Sequence, residues 1–274
     1  MKFGICNEHF EGWTFERICQ FVAGLGYEGL EVAPFTLAQY ITSVTPQQRA
    51  ELRLQADDAG VHIIGLHWLL AKTEGLYLTS PDAEVRRRTS AYLRSLAEAC
   101  HDLGGSVMVF GSPKQRSLLP GVSQEQAYAW AAETFREAMP ALADCGVSLC
   151  MEPLSPAETD FVNTCADAAR LAGMVDDRHF VLHLDVKAMS SEADPVPDLI
   201  RRYGARAGHF HANDVNLRGP GMGDVDFVPI FRALGDSGYA GWVSVEVFDY
   251  TPDPETIARL SIDYMQKTLA AASR

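Results

Sequence analysis

Four side chains that could hold a metal ion stand at the ends of successive apolar runs in the second half of the chain. They are Glu152 in VSLCME, Asp185 in FVLHLD, His211 in AGHFHA and Glu246 in WVSVEV. If these runs are neighbouring parallel strands, side chains at their carboxyl ends converge on one mouth. Three carboxylates gathered there repel one another, and a divalent cation with the histidine as nitrogen ligand relieves that repulsion. The residue types therefore predict a divalent-metal site.

Eight short apolar runs that read as strands buried on both faces could position these groups. They cover residues 2–6, 29–33, 61–67, 106–111, 147–152, 180–185, 207–212 and 242–247. Helical patterns lie between them, most clearly over 82–103, 123–145, 226–238 and 254–271. An open doubly wound sheet would also alternate in this way. Polar residues at the strand ends, and a length near the usual roughly 250 residues, favour one α/β domain, a (β/α)8 TIM barrel over 1–274.

Composition and charge narrow the classes of protein. The chain has 23 Lys and Arg against 36 Asp and Glu, a net charge of −13, which argues against binding a nucleic-acid backbone. Its six cysteines form no C-x-x-C pair. No secretory signal or membrane-spanning run is apparent. We therefore predict a cytoplasmic protein that acts on a small molecule, with neither nucleic acid nor membrane as a partner.

The chain resembles the xylose-isomerase-like superfamily of sugar isomerases and epimerases, and ketose 3-epimerases in particular. The resemblance spans nearly the whole chain. It rests on the glutamate, aspartate, histidine and glutamate at the ends of the last four strands and on the run GPGMGDVDF at 219–227. Because one such scaffold carries several chemistries, the resemblance implies the fold and metal site more strongly than the substrate. It also allows a homo-oligomer.

The resemblance assigns roles position by position. Glu152, Asp185, His211 and Glu246 match the metal ligands, and Glu152 and Glu246 also match the residues that handle protons on opposite faces of the substrate. Glu158 matches a substrate-contacting glutamate, and Arg218 is similar to a substrate arginine. The chain departs from the family pattern at Ala188, where the family has histidine, and Lys187 could supply a cationic substrate contact instead.

The ligand types and the resemblance together suit an octahedral ion with open positions. We expect Mn²⁺, with Mg²⁺, Co²⁺ or Zn²⁺ as alternatives. Such an ion would bind a carbonyl and its neighbouring hydroxyl on a sugar and acidify the adjacent C–H. A carboxylate could then remove the proton to give a metal-bound enediolate. Return of the proton by the opposite carboxylate gives epimerisation, and return to the neighbouring carbon gives aldose–ketose isomerisation.

Further residues near the strand ends are candidates with two interpretations each. His67 could hydrogen-bond substrate beside an apolar wall formed by Trp68, or could be a packed histidine. Glu31 could orient the site or pair with a basic residue. The loop 111–116 could hold an anionic group, although a solvated turn is favoured. We expect His183, His209 or both to face the core or the helix layer.

Three other functions compete with the sugar isomerase or epimerase. A lyase, such as a keto-inositol dehydratase or a C-glycoside-cleaving enzyme, would use the same metal site and expel a leaving group. An apurinic endonuclease would need more histidines than this chain offers and suits its charge poorly. A barrel that binds a sugar or partner subunit without turnover would show no metal dependence.

Overall fold

The computed structural model describes residues 1–274, and its eight strands close into a parallel barrel in sequence order. The strands are β1 (Lys2–Cys6), β2 (Gly29–Val32), β3 (His62–Leu66), β4 (Val107–Phe110), β5 (Ser148–Met151), β6 (Phe180–Asp185), β7 (Ala207–Ala212) and β8 (Trp242–Val245). Pairing of β1 with β8, beginning at Lys2 and Trp242, closes the barrel. The predicted TIM barrel is confirmed, and an open sheet is excluded.

Nine helices surround the barrel. They are α1 (Phe15–Leu25), α2 (Pro46–Ala59), α3 (Ala83–Asp102), α4 (Gln124–Cys145), α5 (Cys165–Val175), α6 (Val186–Met189), α7 (Val196–Tyr203), α8 (Phe227–Asp236) and α9 (Pro254–Ala272). At the start of α4, Ser123 and Gln126 satisfy each other's backbone N–H groups in a capping box. Not one of these helices combines the length and apolar character needed to cross a bilayer.

The barrel interior changes from apolar to polar towards the carboxyl ends of the strands. Every second residue of a strand points inward, and Val107, Val109 and Cys150 form a small apolar cluster separate from the main core. Other residues inside the barrel are buried and polar. They are Glu31, Glu152, His183, Asp185, His209, His211, Ser244 and Glu246. The main hydrophobic core lies between the strands and the helices. The polar side chains inside the barrel are therefore separate from the main core.

Two irregularities in strand register lie directly beside inward-facing polar residues. The pairing of β2 with β3 shifts between Leu30 and Glu31, and the pairing of β6 with β7 shifts between Leu182 and His183. Bulges re-aim side chains and are common near active sites. They place Glu31 and His183 in the polar interior below the mouth.

Candidate metal centre and active site

Three of the four predicted metal ligands meet at the mouth of the barrel together with a fourth residue. Potential ligand atoms of Glu152, His183, Asp185 and His211 all lie within 4.8 Å of one another. All four side chains are buried. Oxygen and imidazole nitrogen donors at this spacing can share one divalent cation.

Glu246 lies at the edge of the same group. Its Oε2 is 3.0 Å from His211 Nδ1, yet neither atom has a hydrogen-bond partner in acceptable geometry. Its Oε1 accepts a hydrogen bond of 2.8 Å from Trp68 Nε1. One oxygen of Glu246 is therefore fixed, and the other faces the imidazole nitrogen of a neighbouring candidate ligand.

A buried carboxylate beneath the mouth orients His211. Glu31 lies within 3.1 Å of His211 Nε2 through both oxygens and 2.8 Å from His209 Nε2. The two histidines outweigh the effect of burial and hold the pKa of Glu31 well below its usual value. An ionised carboxylate only accepts hydrogen bonds, so His211 donates from Nε2 and its Nδ1 is left towards the mouth.

Asp185 is fixed by the segment that follows it and by the next strand. Its Oδ1 accepts from the backbone N–H of Ala188 at 2.7 Å, and its Oδ2 accepts from Asn213 Nδ2 at 2.5 Å. Asn213 in turn accepts from the backbone N–H of Lys187 through Oδ1 at 2.8 Å. The aspartate is thus held in place before any ligand binds.

The backbone at Glu152 is held by an arginine that is fully buried. Arg116 Nη1 donates to the carbonyl oxygen of Glu152 at 2.6 Å, and Nη2 donates to that of Val162 at 3.1 Å. The favoured interpretation of 111–116 as a solvated turn is therefore wrong for Arg116. Its guanidinium satisfies backbone carbonyls where the chain leaves β5, and it does not face an anion.

The acidic groups at the mouth have opposite pKa shifts. Burial, followed by the charges of Glu246 and Asp185, raises the pKa of Glu152 well above its usual value. Burial would also raise the pKa of Glu246, but His211 outweighs it and lowers the pKa to about 2. Burial would lower the pKa of His211, yet Glu31 and Glu246 raise it well above its usual value. Protons therefore balance part of the charge in the metal-free site.

The unpartnered atoms at the mouth fit a cation. Both ring nitrogens of His183, Nδ1 of His211 and Oε2 of Glu246 are buried without a hydrogen-bond partner. Buried polar atoms of this kind are rare unless another group satisfies them. Carboxylate oxygens and imidazole nitrogens are ligands of Mn²⁺, Co²⁺ and Zn²⁺, so the residues present suit a divalent metal.

A cavity of about 90 Å³ opens over these groups. Two of the candidate ligands and three of the predicted substrate contacts line it, and they are Glu152, Glu246, His67, Trp68 and Glu158. His67 is anchored by Glu8, whose Oε2 lies 2.8 Å from His67 Nε2. The cavity thus joins the metal-binding groups to side chains able to contact a substrate.

The two basic side chains predicted to contact the substrate, Lys187 and Arg218, lie in different surroundings. Lys187 Nζ pairs with Glu158 at 2.7 Å and lies 3.9 Å from the ring centre of Phe248. Arg218 is directed away from the cavity, because its Nε pairs with Asp249 at 2.9 Å. The structure therefore brings Lys187 to the edge of the site and leaves Arg218 in a loop ion pair.

Two residues of this site, His183 and Phe248, were not predicted from the sequence. His183 precedes Asp185 by two residues, and a period of two places both on the inner face of β6. This spacing was the available signal for His183. Phe248 lines the cavity two residues after Glu246, but beyond the end of β8 no periodic pattern fixes its direction.

Comparisons with known proteins agree with this geometry. The family model described as "Xylose isomerase-like TIM barrel" matches residues 19–268. The D-psicose 3-epimerase of Agrobacterium fabrum is 31% identical over 90% of this chain and 85% of its own length. The D-psicose 3-epimerase of Ruminiclostridium cellulolyticum is 28% identical over 90% and 84%.

The fold comparison covers the whole chain. A crystal structure of D-psicose 3-epimerase in the presence of D-fructose superposes with a TM-score of 0.81 and 25% identity, over 100% of this chain and 97% of that one. The prediction of a metal-dependent sugar isomerase or epimerase is confirmed by these relatives. The chain belongs to the xylose isomerase-like TIM-barrel family.

Proposed function

We propose that this enzyme epimerises a ketose at C3 by moving a proton between two glutamates. The observation that carries the proposal is that Glu152 and Glu246, from different strands, line one cavity beside a cluster of metal-binding groups. The similarity to D-psicose 3-epimerases supports the same reaction class. Two carboxylates on separate strands can reach opposite faces of one carbon, and this is what inversion of its configuration requires.

We propose that four residues hold the divalent cation, namely Glu152, Asp185, His211 and Glu246. His183 is an additional candidate because it lies within the same cluster. When bound, the cation polarises the sugar carbonyl and acidifies the C–H next to it. Oxygen-rich ligands with imidazole suit Mn²⁺, with Mg²⁺, Co²⁺ and Zn²⁺ as alternatives, and metal analysis of the purified protein tests this choice.

The protein's own groups hold the reacting carboxylates in place. Trp68 fixes one oxygen of Glu246, and Arg116 fixes the backbone of Glu152. One glutamate takes the C3 proton, and the other returns a proton from the opposite side. Because the proton returned to C3 is not the one removed, a hydrogen that the second glutamate has taken from the solvent enters the product.

Substrate contacts follow from the lining of the cavity. We propose that His67 and Glu158 hydrogen-bond the sugar, that Trp68 packs against it and that Lys187 holds Glu158 in position. Arg218 would have to leave its ion pair with Asp249 to reach the sugar. Its role stays a prediction.

Deuterium exchange tests the proposal directly. The Mn²⁺-loaded enzyme is incubated in D₂O with D-psicose, D-fructose, D-tagatose and L-ribulose, and products are followed by NMR. We expect deuterium at C3, with loss of epimerisation in both Glu152→Gln and Glu246→Gln. Deuterium at C1 would indicate aldose–ketose isomerisation instead, and no exchange with any ketose would refute the proposal.

A lyase on the same site is the second candidate, because Ala188 replaces the histidine that the family resemblance implies. Without that side chain, a substrate with a leaving group next to the acidified carbon could eliminate it. Mass spectrometry separates the two reactions, since epimerisation leaves mass unchanged and dehydration removes water.

We also propose a cytoplasmic location, supported by six unpaired cysteines. The homo-oligomer stays a proposal that light scattering tests.

A further inference from the structure

A second groove adjoins the cavity over the metal-binding groups. It measures about 510 Å³ and runs between the segments that follow β5, β6, β7 and β8. Glu158 and Phe248 line both the groove and the cavity, so the two adjoin each other. Ligand sites commonly measure about 300–1,000 Å³. The cavity of about 90 Å³ is smaller than that, and the adjoining groove falls within this range.

The outer wall of the groove is apolar and exposed. Val215 and Leu217 are 55% and 43% exposed, and they are two of only four large hydrophobic residues exposed on the protein. Both line the groove together with Phe248. The other two, Leu54 and Leu260, lie on outer helices and line none of the main pockets. Apolar groups placed beside an active site mark a binding surface.

The loop that presents these side chains is held rigidly. Leu217 has a φ of 72°, a left-handed conformation that costs roughly 1–2 kcal/mol for a residue other than glycine. Its carbonyl oxygen accepts from the backbone N–H groups of Phe248 at 2.8 Å and Asp249 at 2.9 Å. Strain of this kind persists where the surroundings enforce it. The loop is thus built to hold Leu217 against the groove before ligand binds.

The polar groups of the groove are already engaged within the protein. Ser155 donates to Glu158 at 2.8 Å, while Ser190 and Ser191 donate to backbone carbonyls at 2.7 Å. Lys187, the one cation of the lining, pairs with Glu158. The charge of Lys187 is thus balanced by Glu158, and the lining offers no unbalanced positive charge to a phosphate or carboxylate. The groove therefore favours an apolar ligand group over an anionic one.

We propose that this groove is a subsite for an apolar substituent, alkyl or aryl, carried by the sugar substrate. The proposal rests on the proposed function, since the sugar itself occupies the cavity. The preferred substrate is then a keto-sugar joined to an apolar group, and a free ketose is turned over less efficiently. Val215, Leu217 and Phe248 contact the substituent and exclude water from it.

Paired probes test the subsite. Benzyl ethers of D-fructose, at O1 and at O6, are compared with the corresponding methyl ethers as substrates and ligands of the Mn²⁺-loaded enzyme. Covering an apolar side chain of leucine size is worth about tenfold in affinity. We therefore expect at least one benzyl ether to exceed its methyl partner about tenfold in kcat/KM and in calorimetric affinity. Leu217→Asn removes the apolar side chain and introduces a residue that tolerates positive φ. It should bring the benzyl-to-methyl ratio towards one.

Control variants and separate readouts keep the outcomes distinct. Leu54→Gln removes an exposed leucine on α2 and should leave the benzyl-to-methyl ratio unchanged. Equal values for benzyl and methyl ethers, or a ratio that survives Leu217→Asn, would overturn the subsite. A fall in oligomer mass of Leu217→Asn would overturn it too, since the patch would then join two copies. If no ketose exchanges deuterium but the calorimetric preference holds and is lost in Leu217→Asn, the subsite stands and the proposed reaction fails.

Discussion

At the scale of single residues, one indole N–H sets the direction of a glutamate that we propose handles a proton. Trp68 donates to Oε1 of Glu246 while Oε2 faces His211. Trp68 itself adopts a φ of 54°, which is rare for a bulky residue and is usually found where function enforces it. Its backbone is therefore held so that the side chain reaches the carboxylate.

Replacing Trp68 tests this arrangement. Trp68→Phe keeps an aromatic wall but removes a hydrogen bond to a charged group, worth about 1.5–3 kcal/mol. We expect kcat/KM to fall about tenfold or more, measured by steady-state kinetics with saturating Mn²⁺. Trp242→Phe, at the opposite end of the barrel, is the matched control. Unchanged kinetics in Trp68→Phe would contradict the assigned role.

The candidate ligands were predictable from residue type and strand position, but their neighbours were not. Glu152, Asp185, His211 and Glu246 follow from their place at strand ends; the structure brings the first three together and places Glu246 beside His211. The direction of Arg218 depends on a turn that also holds Leu217 at positive φ. No sequence period describes such a turn, so its side chains could not be placed in advance.

At the scale of elements, the segment after β4 supports the end of β5. Arg116 is completely buried and crosses from the loop after β4 to two carbonyl oxygens of the loop after β5. Burial lowers its pKa to about 10, so it stays charged at neutral pH. Eight strands were predictable from apolar runs and turn residues. This cross-loop tie was not, because a basic residue in a polar loop normally faces water.

A shorter side chain at this position should loosen both loops. Arg116→Lys retains the charge but offers a point donor and not a planar fork, so at least one carbonyl oxygen loses its partner. We expect a loss of about 1–3 kcal/mol in unfolding free energy, measured by urea denaturation, together with lower kcat. Lys114→Met, at an exposed position of the same loop, should change neither. Equal unfolding free energies of Arg116→Lys and the wild type would show that the hydrogen bonds of Arg116 do not stabilise the fold.

At the scale of the whole molecule, the polar upper barrel makes stability depend on what occupies it. Carboxylates gathered in a buried site repel one another, and a cation bound only by the folded chain shifts unfolding by mass action. Metal at a hundred times its dissociation constant stabilises by about 2.7 kcal/mol. The same polar groups that serve catalysis thus leave the metal-free barrel less stable.

Metal removal measures this contribution. EDTA treatment followed by dialysis should lower the thermal midpoint by about 5–10 °C, and added Mn²⁺ should restore it, as recorded by calorimetry. Asp185→Asn, which weakens the ligand set, should shrink the difference between the metal-free and Mn²⁺-loaded midpoints. Identical midpoints for the wild type in EDTA and in saturating Mn²⁺ would argue against the site.

Acid sensitivity should also arise outside the metal-binding cluster. His9 is buried beside Phe10, and burial, assisted by the charge of His67, lowers its pKa to about 3. The unfolded chain protonates this histidine near pH 6.5. Below that pH the unfolded state therefore binds the extra proton, and stability falls by up to about 1.4 kcal/mol per pH unit until the folded pKa is reached.

A variant that cannot titrate isolates this effect. Between pH 7 and pH 5, the unfolding free energy of the wild type should fall by about 2 kcal/mol more than that of His9→Phe. Urea denaturation at each pH measures both. His62→Gln, at an exposed position, serves as the control and should follow the wild type. An unaltered pH dependence in His9→Phe would mean that His9 gains protons equally in both states.

The register shift at Leu30 and Glu31 has a consequence for insertions and deletions. Side chains alternate along a strand with a period of two, so gaining or losing a single residue turns every following side chain to the other face. A deletion before Glu31 would send its carboxylate towards the helices and leave His209 and His211 without their shared acceptor. The number of residues in β2 is therefore as constrained as their identity, and a strand grafted from another barrel would have to preserve it.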